Sequence, residues 1–182
     1  MSFHYRIHDN SRPYFITITV VKWIDVFIRK NHKMALIASL NYCQEKKGLE
    51  IFAWCLMPSH LHMIVRAKEG FNLSDIIRDF KTFTSKTVVK QIQQEPESRR
   101  EWLLNSFKKA ALDHPKSGTY KLWQDGYHPI ELHSPKFIAQ KLNYIHNNPV
   151  EAMLVQYPWE YIFSSARNYA GMDHLLDVIR IY

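Results

Sequence analysis

The order of elements along this chain predicts an α+β, ferredoxin-like sandwich, with a mainly antiparallel sheet and helices packed on it. Three observations lead there. Apolar periodicity runs strand, helix, strand, strand, helix, strand. The two middle strands meet at Pro58-Ser59, a turn too short for anything but an antiparallel hairpin. A hydrophobic content of 46% over 182 residues is enough for a sizeable core. The expectation is therefore one domain over residues 1–182, with a C-terminal extension from about residue 150. Its helices should lie on one sheet face, leaving the other free.

Each element has its own local cause. Tyr14 to Val21 is rich in β-branched and aromatic residues and reads as the first strand, with Pro13 at its start. Met34, Ile37, Leu40 and Cys43 recur at helical spacing, which predicts a helix over 31–47 stopped by Gly48. Glu50 to Leu56 and His60 to Val65 are apolar at nearly every position, so both strands are expected mid-sheet with covered faces. A long helix follows over 73–93. Asn72 is its N-cap, Asp75 sits in its first turn, and Leu73, Ile76, Ile77, Phe80 and Phe83 form its core stripe. Residues 95–112 form a further helix, 113–119 a loop, and 120–124 a short strand; Glu131-Leu132 extends the sheet. Ser134-Pro135 starts the last full helix, a capping hydroxyl followed by proline at the first helical position, and Pro149 should end it. The stretch Tyr157 to Tyr161 reads as a loop that packs back on the domain.

Charge and cysteine usage narrow the class. The net charge of +7 and pI near 9.4 favour a polyanionic partner, usually nucleic acid. No apolar run approaches a membrane span and the N-terminus lacks a signal-peptide core, so a cytoplasmic protein is expected, without a membrane partner. The two cysteines, Cys43 and Cys55, fall inside a helix and a strand and read as small buried thiols.

Two stretches carry candidate chemistry. In His60-Leu61-His62, alternation puts both imidazoles on one face, roughly 7 Å apart along the strand. They could close on one metal ion or one phosphate, or they could be an exposed pair on a sheet face. In the helix from Ser134, Ile138, Leu142 and Ile145 make the buried stripe. Tyr144 lies about 100° off it, on the edge shared with Lys141 and Asn148. Residues four apart stack, so Tyr144 and Asn148 address the same neighbour. Taken alone, Tyr144 reads rather as a half-buried core aromatic.

Taken together, Met57-Pro58-Ser59-His60-Leu61-His62, Leu122-Trp123-Gln124, Tyr144-Ile145-His146-Asn147-Asn148-Pro149-Val150 and Ser164-Ser165-Ala166 resemble, in that order, the REP-associated tyrosine transposases. These belong to the HUH single-tyrosine superfamily, named for two histidines flanking a hydrophobic residue. The resemblance runs from the first strand to about Tyr169. It implies a single-stranded DNA endonuclease and strand transferase with Tyr144 as nucleophile and a 5′-phosphotyrosine intermediate. It implies a divalent cation, Mg²⁺ or Mn²⁺, held by His60, His62 and Asn148, with imidazole donors suiting Mn²⁺ better. It also implies a partner that is single-stranded or hairpin-forming palindromic repeat DNA, and it leaves a homodimer open. For DNA contacts, Arg66 follows the histidines on the same face by parity, Lys141 stands on the tyrosine helix, and Trp123 could stack on a base or lie in the core. The competing class is a non-catalytic nucleic-acid-binding module on the same fold. A hydrolase of small phosphoesters would need more carboxylates than this constellation offers.

Overall fold

Strands β1 (Tyr14–Thr19), β2 (Leu49–Leu56), β3 (His60–Ala67) and β4 (Ile130–Glu131) form one antiparallel sheet in the order β2-β3-β1-β4. This is the α+β arrangement expected, seen here in a computed structural model that describes residues 7–113 and 118–181. The helices are α1 (Lys30–Lys46), α2 (Leu73–Gln94), α3 (Arg100–Leu112), α4 (Pro135–Glu151) and the short α5 (Ala166–Tyr169). Part of the loop expected over 113–119, residues 114–117, lies outside the described residues.

Strand alternation divides the sheet into two apolar layers. Ile16, Ile18, Leu61, Met63 and Val65 face α1, α2 and α3, together with Leu36, Leu40, Ile77, Phe80 and Phe107. Phe15, Cys55 and Ile64 face the other way and meet Leu142 and Ile145 of α4. That second face is therefore not left free. The tyrosine helix packs across it. The capping signals act where expected: the Asn72 side chain accepts the Asp75 amide, and Ser134 accepts that of Phe137.

Several expectations are corrected. Helix α4 runs through Pro149 to Glu151 rather than stopping before it. Proline there forfeits only one bond in the last turn, and the Ala152 amide still reaches the Asn148 carbonyl. Consequently Asn148 remains helical, stacked one turn from Tyr144. Segment 120–124 is not a strand; it holds a single bridge, Trp123 to Val20. Phe83, expected in the α2 stripe, is 60% exposed at the rim between α1 and α2.

Strand β2 lies at the margin of the sheet, not in its middle. Its apolar sequence fits nonetheless, because the C-terminal segment covers its outer edge. The Leu56 amide donates to Phe163 O, the Ser165 amide to Trp54 O and the Ile179 amide to Ile51 O, each at 2.9 Å. Ser165 Oγ also accepts from the Trp54 amide and meets His146 Nε2, again at 2.9 Å. One serine thus ties β2, the C-terminal segment and α4 together. Tyr161 adds a bond from its hydroxyl to Leu56 O, while Tyr157 and Trp159 stack on one another at the surface.

This scaffold can be probed at two positions. Gly48 ends α1 at φ +69°, and an added Cβ would overlap the Phe71 ring. Gly48→Ala is expected to destabilise the fold by about 1–2 kcal/mol of backbone strain, read as a lower urea midpoint, with the displacement of Phe71 adding to it. Burial pushes the His146 pKa down to about 4. The unfolded chain protonates this residue near 6.5 and the folded chain only near 4, so its contribution is complete above 6.5 and is lost as the pH falls through that window. Thermal melts from about pH 7 to 4 should show a falling Tm, and a shallower fall in His146→Gln.

Candidate active site

β3 is a central strand, and its register against β1 builds the site. Thr17 lies opposite His62 and Thr19 opposite His60. Alternation sends both imidazoles to the α4 face, where their ring centroids are 4.6 Å apart. The Thr17 hydroxyl and His62 Nδ1 are 2.9 Å apart, and Ser59 Oγ and His60 Nδ1 3.1 Å. Each ring is thereby held by a hydroxyl on one nitrogen. His62 also stacks on Phe15 at 5.5 Å.

Burial sets the charge of the pair. Desolvation pushes the His62 pKa down to about 3, with the neighbouring His60 and the Lys141 ammonium acting in the same direction. Desolvation lowers His60 as well, against a hydrogen bond from its ring to the Asn148 side-chain oxygen, which raises it. Both rings are neutral near pH 7 and carry a lone pair, as metal ligands must. His62 Nε2 is buried and has no hydrogen-bond partner among the described residues. An unmatched buried polar atom costs about 1–3 kcal/mol, and a metal bond on that nitrogen would remove the cost. With an imidazole–metal bond of about 2.1 Å, rings this close can share one ion. Among the described residues there is no cluster of three His, Cys, Asp or Glu. The available set is therefore two imidazoles and the Asn148 amide, which fits a borderline cation such as Mn²⁺ better than Mg²⁺.

Helix α4 brings the remaining groups. The Tyr144 ring stands edge-on to His62 at 5.2 Å and to Phe15 at 5.9 Å, yet the residue is 41% exposed. It is thus neither a core aromatic nor remote from the histidines. Lys141 Nζ sits 4.6 Å from the Phe15 ring centre and 5.6 Å from that of Tyr144. His60, His62, Tyr144, Asn148 and Lys141 accordingly meet in one place.

Two residues singled out from the sequence do not join them. Arg66 shares the face, as parity required, but lies at the far end of β3, paired with Glu50 at 2.7 Å and resting on Phe52. Trp123 is in the core: it is 4% exposed, stacks on Phe27 at 5.4 Å and donates its indole N–H to Thr84. Its ring is not available to stack a base. Conversely, Thr17, Ser59 and Trp23 belong to the neighbourhood without having been anticipated. Trp23 stands edge-on to His60 at 5.3 Å. Ser59 is simply the residue before His60 in the β2–β3 turn, whereas the cross-strand register places Thr17 and the path of the loop after β1 places Trp23, and neither of those leaves a local mark in the sequence.

Comparison with known proteins bears on the fold and the family. A solved REP-associated tyrosine transposase bound to a REP hairpin is similar over 100% of this chain and 94% of its own, with a TM-score of 0.67 and 18% identity. At that identity the likeness concerns the fold. A putative transposase from Deinococcus radiodurans matches over 78% of this chain and 94% of its own at 19% identity, with a TM-score of 0.44, too low to carry an argument. A search of curated proteins finds no match. The family described as IS200-like transposases matches residues 14–107, a segment that contains both histidines. That match spans more than half of the 182 residues, and on it this chain belongs to the IS200-like transposase family.

Proposed function

We propose that this transposase is a divalent-metal-dependent endonuclease and strand transferase of single-stranded DNA, with Tyr144 as its nucleophile and hairpin or palindromic repeat DNA as its substrate. The observation that carries the reading is the 5.2 Å approach of an exposed tyrosine ring to a buried histidine whose Nε2 has no hydrogen-bond partner among the described residues. The similar structure bound to a REP hairpin and the net charge of +7 support the choice of substrate. That approach occurs within a single chain, which supports nucleophile and ligands acting together without a partner subunit. The place of action on this reading is the cytoplasm, where the DNA is; no described helix is long and apolar enough to cross a membrane.

Each residue of the cluster has its own part in the chemistry. The Tyr144 oxygen attacks a backbone phosphorus. The bond to the 3′ oxygen breaks, that oxygen leaves as a 3′-hydroxyl after taking up a proton, and the phosphate stays on the tyrosine as a 5′-phosphotyrosine. The reverse attack by a 3′-hydroxyl rejoins strands without an outside energy source. His60, His62 and Asn148 would hold the cation, which supplies polarisation of a non-bridging phosphate oxygen. Lys141 holds its positive charge 5.6 Å from the centre of the Tyr144 ring, where it would offset the negative charge that gathers on the phosphate during attack. Thr17 and Ser59 position the imidazoles through their other ring nitrogens.

The expected result with hairpin oligonucleotides bearing single-stranded arms is a protein–DNA adduct that survives denaturation, requires Mn²⁺ or Mg²⁺ and is abolished by EDTA. Tyr144→Phe should form none; cleavage by that variant at the wild-type rate would refute the nucleophile assignment. His62→Ala should slow adduct formation roughly a hundredfold or more, the rate equivalent of several kcal/mol of lost charge stabilisation. Calorimetric titration with Mn²⁺ should show the same variant binding the ion more weakly.

A further inference from the structure

The loop after β1 carries a feature that the proposed chemistry does not use. Lys22 and Trp23 have φ of +54° and +58°, the only consecutive pair of non-glycine residues in the left-handed region among the described residues. Side chains rarely adopt that conformation; the pair forms a tight turn in which the Trp23 amide donates to Val20 O at 3.0 Å and that of Ile24 to Val21 O at 3.3 Å, a turn that glycine would make without strain. The loop is held on both sides. The Val20 amide donates to Ser59 O and that of Val21 to Leu122 O before it, and the Phe27 amide donates to Pro58 O after it. Val21, Ile24, Val26 and Phe27 are buried, while Lys22 and Trp23 are exposed between them. Their strained backbone turns a 59% exposed indole edge-on to His60, at 5.3 Å, instead of into the core. Strain retained beside a candidate site, with the indole left mostly exposed rather than packed in the core, is the pattern of a functional constraint.

We infer that Trp23 is a stacking platform for a DNA base next to the phosphate that Tyr144 attacks, with the neighbouring Lys22 ammonium on the backbone of the same strand. An exposed indole paired with a cation is the combination that holds single-stranded nucleic acid, because every base offers a face to stack on and every linkage a negative charge. The position fits. Tyr144 approaches the histidine pair through His62 and Trp23 through His60, so a strand crossing the two imidazoles passes the nucleophile and the indole in turn. Stacking there would fix the register of the strand, and so which phosphate is cut. The inference rests on the proposed function for the location of the scissile phosphate.

The test uses the full chain, Mn²⁺ and a pool of hairpin oligonucleotides with randomised single-stranded arms. The arm sequence captured in the covalent adduct is read, and that substrate is remade with an abasic spacer at each arm position in turn. One spacer position close to the cut should lower wild-type adduct formation about tenfold, equivalent to about 1.4 kcal/mol of stacking. Trp23→Ala should lower it similarly on the intact substrate and cause no further loss on that spacer substrate. Trp23→Phe should retain most of the activity. Trp23→Gly, which suits the left-handed backbone, should keep or raise Tm while losing activity like the alanine variant; a fall in Tm would mark the indole as merely structural and overturn the inference. Equal rates for wild type and Trp23→Ala would also overturn it, and would leave the Tyr144 assignment standing. Should Tyr144→Phe still form adducts, the nucleophile reading fails while the spacer cycle decides on Trp23 separately. If wild type yields no adduct, the arm sequence is selected from the same pool by retention on the immobilised full chain, and the spacer cycle on it is read by fluorescence anisotropy of the labelled hairpins. Trp23-dependent loss of binding at one position then upholds the platform, and its absence rejects it.

Discussion

The buried imidazole of His62 is the constraint around which the functional face is arranged. One of its nitrogens is held at 2.9 Å by Thr17, and the other is enclosed without a hydrogen-bond partner among the described residues. A protein interior does not tolerate such an atom without cost. The neighbouring groups make sense as a response to it: a second neutral imidazole, an amide from α4 and a phenol standing edge-on. Desolvation by the same apolar surroundings keeps both rings uncharged near neutral pH, so they offer lone pairs rather than repel a cation.

The rest of the fold supplies rigidity to that pair and to the helix above it. β3 lies between β2 and β1, so the histidines have a bonded strand on either side. α4 is anchored from two directions, by Leu142 and Ile145 against the sheet and by His146 through Ser165 to the C-terminal segment. That segment also bonds the outer edge of β2, which would otherwise present unpaired amides to other chains. The extension thus removes an exposed sheet edge and helps hold Tyr144 where a phosphate could meet it. Continuation of α4 through Pro149 keeps Asn148 on the same helical face.

Charge is distributed in keeping with the same division of labour. Arg66 is neutralised by Glu50, while Arg29 and Arg99 pair with Glu97 and Asp25 in tying the segment before α1 to the segment before α3. Lys141 is different: its ammonium is held over three aromatic rings beside the tyrosine. A cation over π-faces keeps its charge available to an incoming phosphate in a way that a carboxylate partner would not.

The features legible in the residue order are those with causes a few residues long. Alternation set the shared face of His60 and His62, helical period set the stripe of α4 and the outward place of Tyr144, and Gly48, Asn72 and Ser134-Pro135 marked where helices stop and start. The motif resemblance, read along most of the chain, anticipated the family. Contacts between distant residues decided the remainder. Trp123 and Tyr144 are both aromatic residues within recognisable motifs, yet packing buries one against Phe27 and leaves the other exposed. Parity placed Arg66 correctly but could not show that Glu50 stands opposite it. The marginal place of β2, the partner of His62 and the strained turn at Trp23 likewise depend on register and packing between segments tens of residues apart. Local rules act through neighbouring dihedrals and caps, whereas those outcomes are settled only when the chain closes on itself.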